Sequence, residues 1–166
     1  MNPFELNDNF CNALDIATNK LKSWIEDDKI IRYSSHIDAD GLSAAGIVCS
    51  ALFNLNARFH LRILKQLEPE FIESLAKEKR NCYIFSDFGS AQVKYLMKHI
   101  PTKEIIILDH HEPINISKKP PNIIEINPLL FGIDGSNEIS GAGVSFLFVY
   151  NLDPQKNLDL LPLALV

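Results

Sequence analysis

The chain has 166 residues, 46% of them hydrophobic and 22% charged, which suits one domain with a packed core and excludes a disordered tail or a collagen-like fibre. Sixteen Lys and Arg against 21 Asp and Glu leave a net charge of −5, so bulk charge carries no nucleic-acid signature, and an anionic substrate must be met by a local positive source such as bound metal. Cys11, Cys49 and Cys82 are far apart and form no CxxC pair, which excludes a disulfide scaffold and leads us to expect buried, reduced thiols in a cytoplasmic protein.

The opening stretch, MNPFELNDNF, lacks the basic region and apolar core of a signal peptide, and no apolar run approaches the roughly 20 residues that span a bilayer. From Phe10 to Ile25, apolar residues recur three or four apart, the spacing of one helical face. Lys29 to Ser35 is short and rich in β-branched and aromatic residues, as a strand is. Gly41 to Leu55 reads as a largely buried helix, Arg58 to Leu64 as an alternating strand, and Pro69 to Lys79 as a helix with Pro69 in its first turn. The pattern then repeats: strand at Cys82 to Ser86, helix at Ser90 to His99, strand at Lys103 to Leu108 and strand at Asn122 to Ile126. Two loops follow the third and fourth of these segments, Glu112 to Pro121 and Leu130 to Glu138. Ser140 is placed to cap a helix running to Tyr150, and Asp153-Pro154 opens the last segment. Apolar strands alternating with helices predict an α/β fold, three-layer α/β/α with a mainly parallel sheet, as one domain over residues 1–166. The apolar run Leu163 to Val166 is a poor surface and suggests a truncation inside a longer protein.

In such sheets ligands sit beyond the carboxyl ends of the strands, and three strand ends here carry polar clusters. They are His36-Ile-Asp38-Ala-Asp40-Gly41, Ser86-Asp87-Phe88-Gly89 and Asp109-His110-His111. Alternation throws His36, Asp38 and Asp40 to one side, and Gly41 permits a sharp entry into the next helix. Carboxylates and imidazoles suit Mn²⁺, Mg²⁺ or Zn²⁺. Crowded aspartates would repel one another without cations; two divalent ions would balance them and could activate a water for phosphoryl chemistry. Taken singly, each cluster has a structural explanation as a turn or a cap, but three in succession at strand ends do not. Of the remaining candidates, His60 and His99 read as structural. Lys118-Lys119 reads as a solvated loop pair, and Arg58, Arg62 and Lys65 as a solvated edge. Ser140 and Gly141 could bind phosphate at a helix start.

These three clusters resemble, in order, the first three motifs of the DHH phosphoesterase superfamily. The later stretch Ile126-Asn-Pro…Phe131-Gly-Ile-Asp-Gly-Ser…Ile139-Ser-Gly-Ala-Gly143 is similar to the archaeal RecJ-like branch. The resemblance implies hydrolysis of phosphodiesters with two Mn²⁺ (or Mg²⁺) ions. His36 and Asp38 would bind one ion, Asp40 and His110 the second, and Asp87 both. His111 would face the substrate phosphate or support the metal shell, and Asp109 would orient the histidines. It further implies single-stranded DNA or RNA as substrate, with the GINS complex or a repair helicase as partner. The family's fourth motif, an Asp, and its second, substrate-holding domain have no counterpart here; Asp134, Asp153 and Asp159 stand in the wrong context. Two other readings are an oligonucleotide or small-dinucleotide phosphodiesterase and a non-catalytic replication-helicase scaffold.

Overall fold

Apolar residues at helical spacing from Phe10 to Trp24 build α1 (Asp8–Glu26), which buries Phe10, Leu14, Ala17, Leu21 and Trp24 on one face. Asn7 starts this helix by accepting the Phe10 N–H at 2.8 Å. The computed structural model describes residues 6–116 and 118–165; the first five residues of the amino-terminal stretch and Val166 of the apolar terminal run lie outside them. After α1 come β1 (Ile30–His36), α2 (Ala39–Asn54), β2 (Arg58–Leu64), α3 (Pro69–Leu75) and β3 (Cys82–Ser86). A 3₁₀ turn at Ser90–Gln92 leads into α4 (Val93–His99), followed by β4 (Glu104–Leu108), β5 (Ile123–Ile126), a 3₁₀ turn at Pro128–Phe131, α5 (Gly141–Leu152), α6 (Pro154–Asn157) and a 3₁₀ helix at Leu158–Ala164.

All five strands are parallel, in the order β2-β1-β3-β4-β5. Alternation along each strand divides the core between two layers. Cys82 and Ile84 of β3 and Ile106 and Leu108 of β4 pack with α1, α2 and α5. Tyr83 and Phe85, with Ile105 and Ile107, pack instead with α3 and α4. This is the expected three-layer α/β/α fold. The chain leaves β1 first toward β2 and then crosses to β3, so a crevice opens between the carboxyl ends of β1 and β3.

The departures from expectation lie at ends and edges. Helix α3 stops at Leu75, not Lys79, because Leu75 is its last buried side chain and the next amides bond three residues back, tightening the chain toward β3. The predicted helix at Ser90 opens with its 3₁₀ turn, and α5 runs on to Leu152. Cys82 is buried as expected, whereas Cys11 and Cys49 are half-buried. Lys119 is no solvated lysine: it pairs with Glu125, whose side chain is enclosed on β5. Arg58 pairs with Asp28 at 2.9 Å and Arg62 lies over the Phe71 ring, so that edge is partly tied down. No helix among the described residues is long and apolar enough to cross a membrane.

Candidate metal centre

The crevice brings the three predicted clusters together. Asp38 caps α2, accepting the Gly41 N–H at 2.9 Å. The chain turns so tightly here that a Cβ on residue 41 would lie 2.4 Å from the His36 carbonyl oxygen, which only glycine avoids. His36 Nδ1 is 2.9 Å from Asp38 Oδ2 and 3.5 Å from Asp87 Oδ2. Asp87 follows β3 with φ +58°, a left-handed conformation that Asp tolerates better than most residues, and its side chain is 1% exposed. His110 Nε2 lies 3.3 Å from Asp87 Oδ1 and 3.4 Å from Asp40 Oδ2.

Near as these atoms are, they are not mutually satisfied. Both Asp87 oxygens and His36 Nδ1 are enclosed and lack a hydrogen-bond partner among the described residues. A buried carboxylate without donors is costly unless a cation meets it. Burial, reinforced by Asp40 and Asp38, pushes the Asp87 carboxyl up to about 6, although His110 opposes the shift. Asp87 in turn pushes His110 up to about 9, against the effect of burial. One set of potential ligand atoms comes from His36, Asp38 and Asp87 and another from Asp87, His110 and His111; within each set they lie within 4.8 Å of one another. Asp87 is common to both, and the imidazole and carboxylate donors fit a divalent ion of the Mn²⁺ or Mg²⁺ kind.

The residues around these donors hold them in place. Asp109 is 1% exposed, and burial alone would raise its carboxyl; hydrogen bonds from His111 Nδ1 at 2.8 Å and Ser90 N at 2.9 Å hold it below the usual range instead. Since His111 Nδ1 donates to Asp109, its Nε2 is left as an acceptor. His110 Nδ1 donates to the Gly135 carbonyl at 2.6 Å, which turns Nε2 toward Asp87. Buried Asn127 donates to Ser90 Oγ and to the His111 carbonyl. Beneath the site, the hydroxyls of Tyr33, Ser35 and Ser86 form a buried chain, with Ser35 donating to the Gly41 carbonyl at 2.7 Å. Ser90, Tyr33 and Ser35 carried no signal in the sequence, whereas Ser86, Asn127 and Gly135 stood within the motif stretches without a role assigned to them.

Two expectations look different in three dimensions. Asp40 faces His110 as expected, but its two oxygens also accept the Gly141 and Ala142 N–H groups at 2.7 and 2.6 Å, so it holds the start of α5. Ser140 and Gly141, read as substrate-binding, are engaged within the fold: Ser140 Oγ caps α5 through Gly143 N, and Gly141 N meets Asp40. Gly141 is needed for closeness, since a Cβ there would sit 2.5 Å from Asp87 Oδ1. His60 lies exposed on β2 beside Arg80, and His99 stacks on Tyr95 at the end of α4.

No family model matches the chain. An uncharacterized protein of Methanocaldococcus jannaschii is 46% identical over 121 residues, spanning 70% of this chain and 28% of that protein. The single-stranded-DNA-specific exonuclease RecJ of Thermus thermophilus is 30% identical over 146 residues, spanning 83% of this chain and 21% of RecJ. The chain thus spans about a quarter of the length of these curated relatives. Among solved structures, Thermus thermophilus RecJ in complex with Mn²⁺ superposes with TM-score 0.74 at 27% identity, covering 92% of this chain and 23% of that one. An exonuclease RecJ bound to manganese gives TM-score 0.75 at 28% identity, covering 92% and 41%. A DHH domain at 15% identity and TM-score 0.79, over 94% of this chain and 43% of that one, shares the fold. With its three strand-end motifs gathered in one crevice and its sheet matching those of RecJ, the chain belongs to the DHH superfamily as a RecJ-like domain.

Proposed function

We propose that this DHH domain hydrolyses phosphodiester bonds of single-stranded nucleic acid with the help of two Mn²⁺ or Mg²⁺ ions. The observation that carries this reading is Asp87, a buried carboxylate with two unsatisfied oxygens shared by two sets of donors. His36 and Asp38 would hold one ion and His110 the other, with Asp87 between them. Asp40 would join His110 while continuing to hold α5. Bound there, the ions would supply positive charge for the phosphate and a more acidic water. The protein's own groups prepare the site: Asp109 fixes His111 with Nε2 free to meet the substrate phosphate, Gly135 fixes His110, and the buried hydroxyls keep the ends of β1 and β3 in register. The match to the single-stranded-DNA-specific exonuclease RecJ supports single-stranded DNA as substrate, with RNA as the other strand chemistry to test, and a cytoplasmic place in replication or repair, with the GINS complex or a repair helicase as partner, accords with it.

The test is degradation of an end-labelled single strand in Mn²⁺, comparing the chain with Asp38→Ala. Cleavage that requires both Mn²⁺ and Asp38 is the expected result. A chain that binds no Mn²⁺ by calorimetry would instead favour the scaffold reading.

A further inference from the structure

Strand β2 forms one edge of the sheet and pairs only with β1, so alternate backbone N–H and C=O groups along it face outward. Its register runs unbroken from Arg58 opposite Ile30 to Leu64 opposite His36, and the segment holds no proline, glycine or bulge to blunt the edge. The two faces of the strand differ. Phe59 and Ile63 pack toward α2, and Leu61, on the same side by alternation, keeps 41% of its surface exposed. Beside them lies a groove of about 570 Å³ lined by Cys49, Phe59, Leu160 and Phe53, the last of these 75% exposed. On the other face, His60 lies beside Arg80 and Arg62 over the Phe71 ring, with Arg58 in line by alternation. No acidic residue stands between Arg58 and Lys65, in a chain whose net charge is −5. Asp28 engages Arg58 at 2.9 Å, whereas Arg62 has no carboxylate partner among the described residues.

We propose that β2 is a docking edge for an extended segment of another protein, in which acidic and apolar residues alternate and which adds to the sheet as one more strand. The main chain of that segment bonds the outward groups of β2. Its carboxylates face Arg62, His60 and Arg58, and its apolar side chains cover Leu61 and enter the groove at Phe53. A second copy of this chain does not suit the edge. Two β2 strands paired about a twofold axis bring Arg58, His60 and Arg62 of both copies to one face, and like charges directly opposite destabilise a strand pair. The edge runs from the amino end of the sheet to the crevice, where Leu64 is the register partner of His36, so a docked segment stands beside the proposed metal centre. The inference does not depend on the phosphoesterase reading.

The probe is a capped peptide alternating Glu and Val, matched to β2 in length, titrated into the isotope-labelled, metal-free chain and followed by NMR with amide hydrogen exchange. Binding is expected to shift the β2 and Phe53 signals and to slow exchange at alternate β2 amides. It should be about tenfold tighter than binding of a Lys-Val counterpart, because several opposite-charge cross-strand pairs become like-charge ones. The Glu-Val peptide methylated on its backbone nitrogens should not bind, which separates strand addition from attraction between charges. Arg62→Glu, at an exposed position, should weaken the Glu-Val peptide about tenfold with the melting temperature unchanged. The peptide comparisons use the wild-type chain and decide the matter however Arg62→Glu folds. No binding at millimolar peptide, equal affinity for the Glu and Lys peptides, undiminished binding of the methylated peptide, or shifts away from β2 would each overturn the proposal. A dimer of the free chain with its β2 amides already protected would overturn it too, making a second copy the occupant.

Discussion

Asp87 combines what a carboxylate tolerates least: near-complete burial, a left-handed backbone and no hydrogen-bond donor among the described residues, with Asp38 and Asp40 nearby. Neutralising it in the absence of metal relieves that unfavourable charge. Asp87→Asn is therefore expected to keep or raise the melting temperature of the metal-free chain and to abolish the further rise that Mn²⁺ produces in the wild type. Differential scanning fluorimetry with and without Mn²⁺ measures both. His110 sets the pH dependence. Its folded value of about 9 lies above the ordinary 6.5, so the stability that its charged form contributes is complete below pH 6.5 and is lost as pH rises through 9. A metal must displace the same proton, so apparent affinity should climb by about tenfold per pH unit up to pH 9. Between pH 6.5 and 9 the metal-free melting temperature should fall while the Mn²⁺-induced gain widens.

Two helix starts converge on the site, and each is fixed by an aspartate from the same short segment. Asp38 caps α2 from its own chain, whereas Asp40 reaches α5 from a hundred residues away. The two α5 amides would lose a charged acceptor in a half-buried place, so Asp40→Ala should cost about 2 kcal/mol of stability. Ser140→Ala removes an ordinary cap and should cost about 1 kcal/mol with Mn²⁺ affinity unchanged. Urea denaturation separates the two magnitudes. The elements were legible from periodicity because burial on one face repeats at 3.6 residues in a helix and 2 in a strand. Their ends were less so: α3 stops where its last apolar contact is made, and that contact depends on where Tyr83 and its neighbours lie.

Across the whole molecule the two ends of the sheet have separate duties. The carboxyl end carries the proposed metal ligands. At the amino end, Glu104 at the start of β4 accepts from Trp24 Nε1 at 2.9 Å and pairs with Lys20 and Lys29, which binds α1 to the sheet. Those lysine pairs are partly exposed and individually weak, so the enclosed indole N–H dominates the loss. Glu104→Ala should lower stability by about 1–3 kcal/mol and leave Mn²⁺ affinity unchanged, a separation that thermal melting and calorimetry would show together. His60→Gln, on the exposed edge strand, should change neither.

Periodicity and strand-end chemistry were enough to predict the parallel sheet and to select His36, Asp38, Asp40, Asp87, Asp109, His110 and His111 as candidates, because both are local: a strand's end and the polar residues after it are adjacent in the chain. What joins those ends is not local. The Gly135 carbonyl behind His110, the α5 amides on Asp40, the Tyr33–Ser35–Ser86 chain and the Lys119–Glu125 pair each depend on strand order and on the packing of helices over the sheet. A hydrogen bond between residues far apart in sequence forms where the completed core brings them within 3 Å, and no spacing in the chain announces it. Residue types at strand ends thus indicated metal chemistry, while the tertiary fold determined which atom of each side chain faces the crevice and which is engaged in holding it there.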